Sequence, residues 1–511
     1  MAEALVSSAT LPWEECFRYS QIRTGFSSRR CLFKPMHLSP STKKVQCSVS
    51  CKAIDEAAYF SPTNTGHGYK TRRKGPFAAV NTGRLEKFDF DVVIVGAGII
   101  GLTIARQFLL NTNLSVGIVD AKRPCAGATG AGQGYIWLGY RTPESDKWEL
   151  EARSKQLWDK FVGEVEASGL DPLKALGWKK TAGSLLVGAT SKESVMLQER
   201  AKLLSKAGIR AEFIPASNLH QVEPALEIGK EGGAAFIPDD SQIDARLSVS
   251  FIEENNKAFV SQGRYEEFFE DPVVNFIRSK RAGHVEGVQT SSHVLYGNKA
   301  VIVAAGAWSC SLIGKLAKEL NFPLHVPVKP RKGHLLVLER HQPFHLNHGL
   351  MEIGYSDHQI ASSLQDDSSV DNSFSSLDTL SVSMTATTDS HGNLVLGSSR
   401  QFAGFDCQME KAVVISILER AAKFLPALSN ISPLQLTQDG HIRIGLRPYM
   451  ADGKPVIGPV PNLPKLMLAT GHEGAGLCMA LGTAEMVVDM VLGNSMKVDP
   501  RPFSPVGRCC K

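Results

Sequence analysis

The chain is poor in the features that mark a metalloprotein, a disulfide scaffold or a nucleic-acid binder. Of its ten cysteines, Cys16, Cys31, Cys47 and Cys51 fall within the first 53 residues, and Cys125, Cys310, Cys407 and Cys478 are scattered. None has metal-ligand spacing, and Cys509 and Cys510 close the chain in what reads as a frayed tail. No structural zinc, other metal or disulfide framework is expected. Net charge is missing from the body of the chain as well. The total is +5, and residues 1–53 carry all of it, with eight Lys/Arg against three acids; the remainder holds 48 basic and 48 acidic residues. Partners that are nucleic acids or anionic membranes select clustered positive charge on a folded domain, so the expected partner is a small molecule. Long apolar runs are scarce too. Residues 91–110 are nearly all apolar, but Asp91, Arg106 and the glycines between 96 and 101 argue against a membrane span, and no other window is a credible one.

What is present suits a globular enzyme. A length of 511 residues, 43% of them hydrophobic and 21% charged, allows two sizeable cores in one or two domains. The first fifty residues carry nine serines, scattered arginines and few acids, with no long apolar stretch. They read as an organelle transit peptide ending near residue 53, with the chloroplast the first expectation and the mitochondrion the alternative. Residues 54–87 read as a flexible linker, so the mature fold begins near Lys87. Apolar residues recur at helical spacing over 146–170 and 191–207, and over 244–262 behind an Asp244 in N-cap position. Strand-like runs occupy 183–187, 299–305, 334–338, 393–397 and 465–470. A Ser/Asp-rich stretch at 356–382 has too little apolar area to fold on its own and reads as a disordered surface insertion.

The chemistry-bearing signal begins at Val93-Ile94-Val95-Gly96-Ala97-Gly98-Ile99-Ile100-Gly101, a strand, tight turn and helix start. A second strand, Ser115–Val119, closes on Asp120, nineteen residues after Gly101. This is a complete βαβ dinucleotide fingerprint. Gly96 permits the turn, Gly98 lets backbone approach a pyrophosphate, Gly101 lets helix and strand pack closely, and Asp120 accepts from a ribose. An acid at that place disfavours a 2′-phosphorylated nucleotide. NAD and FAD share this element. The loop that follows, Ala126-Gly127-Ala128-Thr129-Gly130-Ala131-Gly132-Gln133-Gly134-Tyr135, is built of small residues whose amides, with the Thr129 hydroxyl, can reach a second phosphate or a ring edge.

That loop is similar to the one after the second strand in the D-amino acid oxidase family of flavoenzymes, many of which carry Asn where Gly132 or Gln133 stands. The resemblance recurs at Asp271-Pro272-Val273, at Lys299–Ser309 with its Ala305-Gly306-Ala307-Trp308 turn, and at Gly445-Leu446-Arg447-Pro448, Asp452–Gly458 and Gly471–Leu477. It spans about residues 88–494 and is nearest the glycine oxidase and D-amino acid dehydrogenase branches, read here as a plant organellar member. The resemblance implies an α/β architecture, in which a Rossmann-type, doubly wound FAD-binding domain is joined to a mixed-sheet α+β substrate domain. The former is assembled from 88–140, 236–320 and 436–494, the latter from 141–235 and 321–435, with 495–511 as a tail. It also implies non-covalent FAD held by Gly96, Ala97, Gly98, Ile99, Gly101, Asp120, Ala121, Ala128, Thr129, Gly130, Gln133, Gly134, Val273, Ala305, Gly306, Trp308, Gly474, Gly476 and Leu477.

In the oxidase branches the arginine of Gly-Leu-Arg-Pro grips the substrate carboxylate, which assigns that role to Arg447; the alternative is an arginine tying C-terminal strands together. His472 either faces the flavin pyrimidine or is a satisfied core histidine. Glycine oxidases resembling this chain carry a further arginine where this chain has Gly474, so one anchor is expected. Arg331-Lys332-Gly333-His334 either steers an anionic substrate or is a solvated strand end. Trp137, Tyr140 and Tyr355 either line the flavin or pack. Cys407 and Cys478 lack the context of a covalent flavin attachment. No Ser/His/Asp, Cys/His or paired-carboxylate arrangement stands beside these motifs, which fits a reaction performed by the cofactor while the protein orients substrate. The expected activity is FAD-dependent oxidation of a C–N bond in a small carboxylate-bearing amino acid or amine, with O2 or a quinone or other carrier as acceptor. The alternatives are a 2-hydroxy-acid dehydrogenase and a non-catalytic flavoprotein that assists assembly of an organelle complex.

Overall fold

The computed structural model describes residues 85–509 apart from 180–182, 280–282, 321, 340–343, 356–379, 434–435 and 437–441. The expected transit peptide, nearly all of the linker and most of the serine-rich insertion lie outside the described residues.

Two eight-stranded sheets organise the chain. The first runs Val456–Val460, Leu463–Thr470, His293–Val303, Glu86–Val95, Val116–Val119 and Tyr265–Phe268, with Val285–Thr290 also paired to His293–Val303 and Val273–Arg278 paired to Val285–Thr290. The four pairings from Leu463–Thr470 to Tyr265–Phe268 are parallel. Parallel sheets are covered on both faces, so their strands read as continuous apolar runs, and Glu86–Val95 does so at its buried end. Val92 and Ile94 join the core under helices Ile99–Asn111, Trp148–Ala167 and Gly476–Leu492, whereas Val93 and Val95 join the core on the opposite face. The apolar run at 91–110 is thus half strand and half helix. Gly476–Leu492 belongs to a stretch, Glu473–Leu492, long and apolar enough to cross a membrane by composition. Here it packs against Ile99–Asn111 and Trp148–Ala167, which accounts for its lack of a polar face.

The second sheet is mixed, in the order Ile442–Tyr449, Lys329–Leu338, Leu394–Arg400, Ser381–Thr388, Gly349–Glu352, Ser184–Gly188, Gly233–Ile237 and Glu212–Pro215. Helix Lys411–Ala422 buries Val413, Val414, Ile417, Leu418 and Ala421 in the core formed with this sheet. The helices at 148–167, 191–206 and 245–257 form as their periodicity indicates. Asp244 caps the last of these by accepting from the amides of Arg246 and Leu247 at 2.8 and 3.0 Å, and Thr190 and Glu193 form a capping box on the second.

Three placements differ from the sequence reading. Ile442–Tyr449, grouped there with the cofactor domain, pairs antiparallel with Lys329–Leu338 at eight positions and so belongs to the second sheet. The strand Gly233–Ile237, which runs past residue 236, belongs to it as well. Up to Cys509 the C-terminal tail is not frayed: Phe503 and Cys509 are buried, and the Cys509 carbonyl accepts from the His325 amide at 2.8 Å, while Cys510 lies outside the described residues.

Candidate active site

At the C-terminal edge of the first sheet the glycines are required sterically. Gly96 has φ +116°, and a Cβ there would overlap the Ala304 carbonyl; a Cβ on Gly101 would overlap the carbonyl of Gly96. Helix and strand therefore approach backbone to backbone. Helix Ile99–Asn111 starts at Gly98 with no side-chain cap and no acid in its first turn. Its positive end is left open to an anion. Thr129 overhangs this end, its hydroxyl accepting from the Ile99 amide at 3.3 Å. Asp120 accepts from the amides of Ala97 (2.7 Å) and Lys122 (2.8 Å). Burial raises its pKa in spite of those bonds. Ala121 beside it is exposed, and Val273 opens the strand Val273–Arg278. These features fit the pyrophosphate and ribose of a dinucleotide.

The loop after Asp120 connects the two sheets. Gly130 lies against the Cys125 carbonyl, and Gly134, at φ +94°, lies against that of Ile243. Ala128 and Ala131 rest on Gly445, where a Cβ would stand 2.8 Å from that of Ala131. The Gln133 side chain is committed to the second sheet: it donates to Val395 O at 2.9 Å and accepts from the Thr385 hydroxyl at 2.9 Å. On the other side of the first sheet's edge, Ala305–Trp308 forms a turn fixed by the Thr470 hydroxyl, which donates to Gly306 O at 3.0 Å. Trp308 is exposed and tilts against Phe405 at 5.7 Å. In the Gly471–Leu477 loop, Gly474 is exposed, Gly476 begins the core helix, and Leu477 O accepts from the Trp158 indole at 3.0 Å. His472 shares a 3.0 Å hydrogen bond with the Thr483 hydroxyl inside the core, and burial lowers its pKa to about 3. Its ring is a neutral, satisfied group.

Arg447 sits where the strands Ile442–Tyr449, Lys329–Leu338 and Leu394–Arg400 lie side by side. Its guanidinium crosses over Gly333, where a Cβ would be 2.5 Å from Cζ, and donates to Ser399 O at 2.9 Å. Gly333 is therefore the clearance for this side chain. Arg331, opposite Arg447 in the register, pairs with Glu473 at 2.8 Å. Arg400, 1% exposed, lies 4.1 Å over the ring of Tyr355, and Tyr355 meets Tyr140 edge-on at 5.8 Å. Gly474 closes the group: a Cβ there would stand 3.7 Å from the Tyr355 hydroxyl and 3.8 Å from Arg447 Cδ. Burial works to raise the Tyr355 and Glu473 pKa values, but the surrounding arginines outweigh it and lower both. Burial, with the like charges of Arg400 and Arg331, lowers that of Arg447.

The structure thus brings Arg447 together with Arg331, Arg400, Tyr355 and Glu473, of which Arg400 and Glu473 had no sequence-level role. Arg331, Lys332 and His334 are buried, which corrects the solvated-strand-end reading, because their strand is central and has a neighbour on each side. Trp137 packs against Tyr135 and Gly349. Burial raises the thiol of Cys478 to about 12, and Cys407 is exposed away from these contacts. Among the described residues no group of three His, Cys, Asp or Glu side chains could hold a metal.

The sequence model of the DAO family of FAD dependent oxidoreductases matches residues 91–490. The chain belongs to this family. Its cofactor is FAD, which the glycine turn, Asp120 and the open helix end accommodate. A glycine oxidase of Pseudomonas aeruginosa is 27% identical over 420 residues, covering 82% of this chain and 99% of its own length. Among solved structures, glycine oxidase from Geobacillus kaustophilus superposes with TM-score 0.64 at 20% identity, over 81% of this chain and 98% of that one. An iminodiacetate oxidase from a Chelativorans species does so with TM-score 0.62 at 21% identity, over 81% and 98%. These two likenesses establish the Rossmann-type flavoenzyme fold.

Proposed function

We propose that this DAO-family flavoprotein oxidises the C–N bond of a small amino acid or secondary amine that carries a carboxylate. The observation that carries the reading is Arg447. It is half-buried, spans the clearance over Gly333, and has no carboxylate partner among the described residues. A guanidinium with one nitrogen committed to Ser399 O keeps a planar edge for a substrate carboxylate, and bidentate capture fixes both position and orientation. Gly474 beside it leaves room for the substrate where a larger side chain would not. The activities of the relatives, a glycine oxidase and an iminodiacetate oxidase, support an amine that bears a carboxylate. Held at the glycine turn, Asp120 and the open end of helix Ile99–Asn111, FAD would supply the two-electron oxidising chemistry, and the Cα–H and N–H of the amine would be lost to give an imine that water hydrolyses. The protein's own residues bind, orient and exclude solvent; neutral His472 and the Arg331–Glu473 pair hold the Gly471–Leu477 loop in place. FAD is held non-covalently, and electrons leave to O2 or to a quinone or other carrier.

The test is anaerobic mixing of purified protein with glycine, N-methyl amino acids, longer amino acids and 2-hydroxy acids while the flavin absorbance is followed. Bleaching by amines and not by hydroxy acids supports the reading; bleaching by hydroxy acids alone overturns it. The chloroplast is the proposed compartment, resting on the serine-rich, acid-poor start of the chain. A fluorescent reporter fused behind residues 1–60 should enter plastids, and a mitochondrial or cytosolic signal would contradict this.

A further inference from the structure

The cluster around Arg447 holds more positive charge than one carboxylate needs. Three arginines from three adjacent strands, Arg331, Arg400 and Arg447, face a single carboxylate, Glu473. Arg331 takes that carboxylate at 2.8 Å. Arg400 is 1% exposed, and among the described residues no acid pairs with it. Its Nη1 reaches the Ser383 hydroxyl at 3.5 Å, the Tyr355 hydroxyl is its other hydrogen-bonding neighbour, and its Nη2 is buried with no hydrogen-bond acceptor. The Tyr355 ring beneath it, at 4.1 Å, supplies a cation–π contact but no counter-charge. Tyr355 also joins Arg400 to Arg447, because its hydroxyl and Arg447 Cδ flank the same open position at Gly474. Removing a cation from water without a counter-charge is strongly unfavourable, so a buried guanidinium near Arg447 that holds only neutral partners and keeps one nitrogen unsatisfied is poised for an anion.

On the reading that Arg447 anchors the substrate's α-carboxylate, we infer that Arg400 binds a second acidic group on the same molecule. The substrate class is then a dicarboxylic amine, such as an acidic amino acid or an N-carboxymethyl amino acid. Gly474 supports this assignment by its size: with no side chain there, the space between the Tyr355 hydroxyl and Arg447 stays open for the substrate. The second cation of the site is Arg400, delivered from the end of strand Leu394–Arg400.

Binding and turnover are measured separately so that the inference and the underlying reading can fail separately. Binding is read from perturbation of the holoprotein's flavin spectrum by non-oxidisable acids, malonate, succinate and glutarate against acetate and propionate. At least one dicarboxylate should bind about tenfold or more tightly than the monocarboxylates, the factor expected of one added charge-assisted hydrogen bond, and Arg400→Met should reduce that ratio toward one. Arg400→Lys, which keeps the charge, should hold an intermediate ratio and serves if Arg400→Met does not retain FAD. Equal binding of the two classes by the unsubstituted protein, or a ratio that both Arg400 variants preserve, overturns the inference. Turnover is read from anaerobic flavin reduction by iminodiacetate, aspartate and glutamate against glycine and N-methylglycine. Faster reduction by a dicarboxylic amine supports the inference, and faster reduction by the monocarboxylic amines overturns it. If no amine reduces the flavin while the Arg400-dependent ratio persists, the C–N reading falls and the dicarboxylate site stands.

Discussion

Replacing Arg447 with methionine separates binding from folding, because the structure predicts opposite consequences for the two. Arg447 commits Nη1 to Ser399 O at 2.9 Å and leaves its remaining donor edge for substrate. Two charge-assisted hydrogen bonds to a carboxylate, each contributing about 1.5–3 kcal/mol, set the loss of kcat/KM at roughly a hundredfold to ten-thousandfold. The fold should bear the change. The bond to Ser399 O costs about 1 kcal/mol to lose, and removing one cation relieves its repulsion with Arg331 and Arg400, the repulsion that helps lower the Arg447 pKa. The assay is the rate of anaerobic flavin reduction over a range of substrate concentrations, with FAD content and melting temperature measured on the same preparations. Arg447→Met should hold full FAD, melt within a few degrees of the parent (about 1 kcal/mol shifts Tm by only a few degrees) and reduce slowly. Rapid reduction by the variant, or loss of FAD, would refute the assignment and return Arg447 to the role of a structural tie.

Other substitutions probe the rest of the site. Gly101→Ala forces a Cβ onto the backbone carbonyl of Gly96; overpacking of about 1–3 kcal/mol should appear as a lower Tm and weaker FAD retention, both measurable by thermal melting with and without added FAD. Tyr355 is held below its ordinary pKa by Arg400 and Arg447, which outweigh burial. As pH rises its phenolate forms early and competes with the substrate for those cations, so kcat/KM should decline on the alkaline side, starting before the ordinary tyrosine value of about 10 is reached, and Tyr355→Phe should remove that limb. His472 and His334, lowered by burial to about 3 and about 4, bind protons only when unfolded between there and the ordinary value near 6.5. Their contribution to stability is complete above about pH 6.5 and is lost as pH falls, each by about 1.4 kcal/mol per unit. Urea midpoints across that range should show a shallower slope in His472→Gln, and an unchanged slope would contradict the burial account.

The parts of this protein that can be read in its sequence are those whose chemistry is local. Gly96, Gly98 and Gly101 act within one turn, and Asp120 closes the next strand, so a short window holds the whole dinucleotide element. Arg447 was recognisable because it stands in a conspicuous tetrapeptide. Arg400 carries no such signal: its role depends on a strand that ends beside Gly333 and over the ring of Tyr355, contacts made between segments far apart in the chain. The burial of Lys332 and His334 was misread for the same reason, since a charged strand looks solvated until its two neighbours are known. Lys332 is satisfied by Asp406 at 2.5 Å and Glu410 at 2.8 Å, neither of which its own strand reveals. Cys509 likewise looked frayed because its partners are the core behind the first sheet and the amide of His325.

The most direct measurement is an anaerobic titration of the purified holoprotein, following the oxidised flavin band at ~450 nm against amines that carry one or two carboxylates. The account predicts stoichiometric bleaching by at least one of them, with an imine-derived oxo acid formed in equal amount. A flavin that stays oxidised in the presence of every carboxylate-bearing amine would contradict it.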